Sequence, residues 1–182
     1  PRKRKVIQKS ISNLKLWNFR RYGMEGEVDF QNPHLEVHFK NGLNVLVGEN
    51  DAGKTAIVDA IKLALKTHSY EYLRIEPSDF YSISERFRIE LIFVEFSSEE
   101  AKNFIEWLGW TGSGESAKPF LKINFDVKRK GKRILPSDVK GGPDFDGRVL
   151  TAEAREYLKV TYLRPLRDAE SELVAKKNSR LS

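Results

Sequence analysis

The sequence predicts an α/β fold: a mixed sheet with an antiparallel portion, wrapped around a helix that follows a glycine-rich phosphate-binding loop. Three observations predict it. The apolar run Leu43-Asn44-Val45-Leu46-Val47 leads straight into Gly48-Glu49-Asn50-Asp51-Ala52-Gly53-Lys54-Thr55, with the spacing G-x-x-x-x-G-K-T. After Thr55, residues Ala56, Ile57, Ala60, Ile61, Ala64 and Leu65 recur at helical spacing, with Asp59, Lys62 and Lys66 off that face. On both sides of this unit apolar residues alternate with polar ones, the pattern of half-buried and mostly antiparallel strands.

Taken in order, Leu14 and Leu16 mark a first strand, Val28 and Phe30 a second, and Leu35, Val37 and Phe39 a third. Arg21-Tyr22-Gly23 and Asn32-Pro33 supply breaks between them. Asn41-Gly42 reads as a turn before a buried strand over Leu43 to Val47, and the helix after the loop extends to about Thr67. Residues 68–85 are polar and irregular. Phe87, Ile89, Leu91 and Phe93 then alternate with Arg88, Glu90 and Ile92, a strand expected to keep one wet face.

Ser97-Ser98-Glu99-Glu100 is a capping-box start for a helix through Leu108, with Ala101, Phe104, Ile105 and Leu108 on its apolar face. Thr111 to Gly114 is a loop. Leu121, Ile123, Phe125 and Val127 give another alternating strand, turned back by the basic residues 128–133. Ser137 to Gly147 is a loop rich in Gly, Pro and Asp, and Thr151 caps a short helix to Leu158. Val160 to Leu163 is an apolar strand halted by Pro165, and an amphipathic helix begins at Leu166. The expected division is a basic arm over 1–9, one lobe over 10–165, and a helix over 166–182 that leads into a further part. The chain opens on Pro1 and ends inside a helical pattern, so it is expected to be the N-terminal part of a larger protein.

The spacing in the loop has a chemical reason. Glycines at 48 and 53 let the backbone curl without Cβ clashes, so successive N–H groups form a nest for phosphate oxygens. The following helix adds its positive N-terminal end. The nucleotide-binding residues are expected to be Gly48, Asn50, Asp51, Ala52, Gly53, Lys54, Thr55 and Ala56. Lys54, the expected catalytic residue, would reach the β- and γ-phosphates of ATP, and the Thr55 hydroxyl would ligate Mg²⁺.

Composition narrows the function classes. There is no cysteine, which excludes disulfides, zinc–thiolate sites and thiol catalysis. His34 and His38 read as exposed strand positions rather than metal ligands. No apolar stretch approaches the ~20 residues needed to span a bilayer, so no membrane is expected and the cytoplasm is the expected location. The net charge of +6 is local: residues 1–9 carry five basic side chains and no acid, whereas the other 173 residues carry 27 basic and 26 acidic groups. The excess is an arm, read as a solvated leader or as a contact for DNA or targeting. A second basic cluster, Lys128-Arg129-Lys130-Gly131-Lys132-Arg133, has the look of a charged hairpin tip.

ATP hydrolysis needs more than the loop. It requires an acid ending a buried strand to order Mg²⁺, and a group that orients water. Glu95, after Leu91-Ile92-Phe93-Val94, is the candidate acid, although a strand with a wet face is an unusual place for it. No glutamine follows Gln31, so none can fill a Q-loop role, and no L-S-G-G-like segment is present.

Leu14-Lys15-Leu16-Trp17-Asn18-Phe19-Arg20-Arg21-Tyr22 resembles the opening strand and Asn-Phe-Arg turn of the RecF/SMC branch of ABC-type ATPases. The loop resembles that branch's G-x-N-x-x-G-K-[ST] variant, with Asn50 at the matching position. Asp79-Phe80-Tyr81 and Val160-Thr161-Tyr162-Leu163-Arg164-Pro165-Leu166-Arg167-Asp168-Ala169-Glu170 resemble the OLD (overcoming lysogenization defect) family within it. The resemblance covers about residues 10–182. It implies a P-loop NTPase of the ABC-type head class, represented here by its N-terminal part.

In the whole protein it implies a head-to-head homodimer sandwiching ATP, joined to a Toprim nuclease that cuts DNA. Walker B acids, signature and nuclease residues would lie beyond Ser182. The resemblance also suggests that Arg167 and Asp168 stand where a Q-loop would follow its strand, with a helix-start ion pair as the equal alternative. Arg20 is expected to approach the nucleotide from its turn. Two rival readings stay open: a self-sufficient small P-loop NTPase or kinase with Glu95 as its metal acid, and a DNA-binding module with a vestigial loop.

Overall fold

The computed structural model describes residues 9–65 and 74–158. The expected strand over Val160 to Leu163, the helix from Leu166 and nearly all of the basic arm lie outside the described residues. Strands β1 (Ser10–Trp17), β2 (Leu35–His38), β3 (Arg86–Val94), β4 (Leu108–Thr111), β5 (Lys118–Lys130), β6 (Arg133–Ile134), β7 (Val139–Gly141) and β8 (Arg148–Val149) form one sheet. Its order is β2-β1-β3-β5-β7-β8, with β4 and β6 also pairing β5. Every pairing is antiparallel. Three helices, α1 (Lys54–Leu65), α2 (Ser98–Lys102) and α3 (Ala152–Glu156), complete the described elements with two single 3₁₀ turns.

The register explains the core. Leu14 and Leu16 stand opposite Leu91 and Ile89, which stand opposite Ile123 and Phe125. Because side chains alternate across a strand, these residues share one face with Phe87, Phe93, Leu121 and Val127. Helix α1 lies on that face and buries Ala56, Ile57, Ala60, Leu63 and Ala64. Alanines at 56, 60 and 64 keep the stripe narrow, so the helix can approach the sheet closely.

The opposite face is not wet. Arg88 is 1% exposed and Glu90 is also buried, against the sequence expectation. The cause is a lid built from two loops. Phe30 and Phe145 pack edge-on at 5.2 Å, and the Arg88 guanidinium lies 4.1 Å from the Phe145 ring centroid. Arg88 also donates to the Phe145 carbonyl at 2.6 Å and ion-pairs with Glu90 and Asp126. Phe30 is free to do this because residues 28–30 are not the expected strand. The Asp29 carboxylate accepts from the Gln31 N–H and the Asn32 amide, which curls the chain, and the Asp29 carbonyl accepts from the Trp17 indole.

Other departures are local. Leu43 to Val47 is neither a strand nor buried: Leu43 is 91% and Val47 90% exposed. Among the described residues no strand lies beside it. The Asn44 side chain instead ties back to Lys40 and Gly42, closing the Asn41-Gly42 turn. The capping box at Ser97 forms as expected, with the Ser97 hydroxyl accepting from Glu100 N–H. Helix α2 nevertheless stops at Lys102, because Leu108 is drawn into pairing with β5 opposite Leu121. The expected turn at 128–133 is the β5–β6 hairpin, and the expected loop at 137–147 contains β7.

His34 is half-buried rather than exposed, and its Nδ1 accepts from the Asn18 backbone N–H at 3.0 Å. Burial holds its pKa below the ordinary 6.5. The bond requires an unprotonated Nδ1, so the fold favours the neutral ring. The unfolded chain therefore takes up this proton first, and stability rises with pH through the window just below 6.5. The melting temperature is expected to fall as pH drops from about 7 to about 5.5. A His34→Gln variant should lack that part of the slope, whereas His38→Gln should keep it.

Candidate functional site

The loop at residues 48–55 is shaped by two left-handed positions and one lysine. Asp51 has φ 62° and Gly53 φ 91°. The Ala52 N–H donates to the Glu49 carbonyl at 3.2 Å, and the Gly53 carbonyl accepts from Ile57 N–H, which starts α1. The Lys54 ammonium turns back into the curl, donating to the Gly48 carbonyl at 2.7 Å and to the Glu49 carbonyl. Its charge therefore sits at the centre of the loop, where phosphate oxygens are expected. No acid occupies the first turn of α1, so the positive end of the twelve-residue helix is not offset there.

The two glycines are constrained to different degrees: Gly53 by both conformation and space, Gly48 by a tight contact alone. A Cβ on Gly53 would stand 2.2 Å from the Tyr22 hydroxyl oxygen and 2.8 Å from Arg21 Cδ, besides demanding a left-handed backbone. A Cβ on Gly48 would come 3.3 Å from Ala52 Cβ, narrowing the curl. Thr55 is exposed at the helix start, while Ala56 is buried, so its contribution to a ligand is confined to the backbone. Asn50, Asp51 and Ala52 line the exposed rim. Of the N–H groups at 50–55, that of Ala52 already has the Glu49 carbonyl.

This cradle fits a triphosphate. It offers backbone donors, a helix N-terminus, a central ammonium and a hydroxyl at the helix start, which is the donor set for phosphate with an oxygen-ligated Mg²⁺.

The structure brings a second segment to the loop. The turn at 18–22 follows β1 and abuts the loop. Tyr22 donates to the Ala52 carbonyl at 3.4 Å, and Arg21 lies against Gly53. Arg20 points elsewhere. It donates to Asp59 of α1 at 2.7 Å and to Asp79 at 2.9 Å. Asp79 is buried and also accepts from the Glu76 N–H at 2.9 Å.

Glu95 is not brought to this site. It follows β3 with φ 62° and accepts from the Ser10 hydroxyl at 3.1 Å. Ser10 begins β1, whereas the turn touching the loop follows Trp17 at its other end. Seven steps of strand separate them, about 23 Å. Among the described residues no group of three or more His, Cys, Asp or Glu is placed to hold a metal ion.

Residues 10–165 match the family described as AAA ATPase domain. No curated protein matches. Among solved structures, the chain resembles an SMC ATPase studied for ATP-driven dimerization and DNA-stimulated activation, with TM-score 0.51 and 18% identity. That likeness covers 87% of this chain and 95% of the other. It also aligns with the recombination mediator protein RecF bound to ATP, with TM-score 0.48 and 15% identity over 81% of this chain and 29% of that one. The chain thus spans less than a third of the RecF chain. The first likeness places the fold with SMC-type P-loop ATPase heads.

Gly53 supplies a direct test of the loop. Gly26 also has positive φ, at 105°, but a Cβ there meets nothing within 4 Å. Gly26→Ala is expected to destabilise by about 1 kcal/mol from backbone strain alone. Gly53→Ala should lose more than this, because its methyl group must also push aside the Tyr22 hydroxyl and the Arg21 side chain. Urea unfolding of the two variants measures the difference.

Proposed function

The chain belongs to the AAA ATPase domain family, and on that premise we propose that it is the Mg²⁺-ATP-binding half of an ATPase head. The whole protein, on this reading, is an OLD-type nuclease in which ATP-driven dimerisation of heads governs DNA binding and cutting. The observation that carries the nucleotide site is the Lys54 ammonium held inside a loop whose left-handed position 53 is filled by glycine. Lys54 takes the β- and γ-phosphates, residues 50–55 present backbone N–H groups, and Thr55 offers its hydroxyl to Mg²⁺. When bound, Mg²⁺ would supply charge neutralisation for the phosphates.

Two features support a head completed by further polypeptide. Leu43, Val45 and Val47 are strongly exposed apolar side chains leading into the loop, which suits a strand awaiting neighbours on either side. Glu95, the nearest thing to a metal acid in the sequence, stands a strand length away. The acid and the signature segment therefore come from a second lobe and a second head. The proposed division is an arm over 1–9, a lobe over 10–165, and a helix from 166 leading onward. No helix among the described residues is long and apolar enough to cross a membrane, and the proposed location is the cytoplasm.

For DNA, the β5–β6 hairpin offers the exposed side chains of Lys128, Lys130, Lys132 and Arg133. Arg129 is committed inward: it donates to the Ser84 and Ser82 carbonyls and stacks 4.5 Å from the Phe80 ring centroid. The hairpin leaves the sheet beside Arg86, the same end of β3 as the turn that touches the loop.

Equilibrium binding of Mg²⁺-ATP by the chain and by Lys54→Ala tests the site. Binding should be lost in the variant, with little or no turnover by either protein. Steady turnover by the isolated chain would overturn the half-head reading. Charge reversal of Lys128, Lys130, Lys132 and Arg133 to Glu should weaken duplex DNA binding and flatten its salt dependence. Each lost phosphate contact should remove about 0.9 from the log–log slope. An unchanged slope would remove the hairpin from the DNA surface.

A further inference from the structure

The ionic knot beside the loop has a shape that a nucleotide ligand would not need. Arg20 is anchored twice over. Its backbone, at φ 52°, donates to the Asp79 carbonyl at 2.8 Å, and Phe19 bridges to Phe80. Its side chain forks, Nε to Asp79 at 2.9 Å and Nη1 to Asp59 at 2.7 Å. Neither carboxylate is loosely held. Asp79 is buried and its other oxygen takes the Glu76 N–H, while the other oxygen of Asp59 takes the Lys62 ammonium at 3.4 Å.

Burial, which alone lowers its pKa, is outweighed by the hydrogen bonds and charges of the two aspartates, so the guanidinium is held above its ordinary range. Two of the five guanidinium N–H donors are thus given to carboxylates. Releasing it toward a nucleotide would leave two partly desolvated carboxylates facing each other.

We propose that Arg20 is a positioning residue for the phosphate loop: by bridging Asp79 of the sheet-side turn to Asp59 of α1, it fixes the rotation of α1 and hence where Lys54 and Thr55 point. This rests on the nucleotide reading and assigns Arg20 a role other than direct contact. The geometry supports it at two points. Tyr22 ties the same turn to Ala52 inside the loop, and Arg20 ties it to Asp59, one helical turn beyond Thr55. Two ties from one rigid turn define an orientation, which a single tie does not. Ala56, Ala60 and Ala64 bring α1 close to the sheet with Ile57 and Leu63 buried beside them, and the ionic tie adds a directional constraint to that packing.

The test is a double-mutant cycle, read by equilibrium binding of a fluorescent Mg²⁺-ATP analogue alongside thermal melting. Arg20→Ala and Asp59→Asn should each weaken binding about tenfold, and the double variant should be no weaker than the worse single, since both break one tie. Should Arg20→Ala fail to fold, Arg20→Lys completes the cycle, retaining charge but losing the fork. If Asp59→Asn binds as tightly as the unaltered chain while Arg20→Ala binds weakly, Arg20 is a direct ligand and the inference is overturned. If both lower the melting temperature without moving affinity, the knot is merely structural and the inference is again overturned. Lys54→Ala separates the two levels. Binding lost on Lys54→Ala but untouched by Asp59→Asn removes the positioning role alone. Binding that is absent, or indifferent to Lys54→Ala, removes the phosphate-loop reading and this inference with it.

Discussion

The turn at Asn18 to Tyr22 is the constraint on which the arrangement depends. Strand β1 ends at Trp17, and the chain then adopts left-handed backbone at both Asn18 and Arg20. Neither is glycine, so each position stores strain that its surroundings must offset. They do so densely. The Asn18 N–H reaches His34, its carbonyl takes the Tyr81 N–H, its side-chain amide reaches Ser84, and its side-chain carbonyl takes the Met24 N–H. From this one bend, Tyr22 reaches the loop and Arg20 reaches α1 and Asp79. The loop and α1 lie in the crossover from β2 to β3, which run parallel on either side of β1, and that crossover must be held in register with the sheet. Here the bend supplies that registration.

The ladder behind the bend is sound on both faces, by different chemistry. One face is apolar and takes α1. The other carries Trp17, Arg88, Glu90, Asn124 and Asp126 in cross-strand register. Such a face is ordinarily left to water. Phe30 and Phe145 close over it instead, and Arg88 becomes a buried cation clasped by two rings and two carboxylates, with Nε unpartnered. A buried charge is tolerable only when so paired, and removing one partner costs more than the pair contributes. The loops carrying Phe30 and Phe145 are therefore tied to the sheet through Arg88.

What could be read in the sequence follows from range. Helix α1, β1, β3, β5 and the Ser97 and Thr151 caps depend on neighbours a few residues away, so period and capping chemistry reveal them. The loop is legible for the same reason, since Gly53, Lys54 and Thr55 act through local backbone geometry. The burial of Arg88 is not legible, because the polar alternation of β3 is identical whether water or Phe145 covers it. The partners of Arg20 are likewise hidden. Asp59 and Asp79 lie 39 and 59 residues away, and only the fold says that both meet the same guanidinium. The short α2 shows a competition that propensity alone cannot decide: the apolar face at Phe104 and Leu108 suits a helix, but pairing of Leu108 with Leu121 takes the chain into β4.

Leu43 to Val47 is the most instructive misfit, because composition and environment disagree there. Full burial of a Val or Leu side chain is worth about 1.5–3 kcal/mol, so this run forgoes several kcal/mol while it stands in water. Its backbone is equally unengaged by any ladder among the described residues. The loop is consequently fixed on one side only, through Tyr22, Arg20 and the start of α1, while its entry from Val47 into Gly48 is held by Lys54 reaching back to the Gly48 and Glu49 carbonyls. On the proposed nucleotide reading, phosphate would take over those contacts of the ammonium. Pairing the run with strands of a completing lobe would anchor the entry by backbone bonds and leave Lys54 free to face a ligand. On the proposed reading, assembly of the head and readiness of the site would be the same event, and a half-head would bind with limited strength and turn over poorly without its partners.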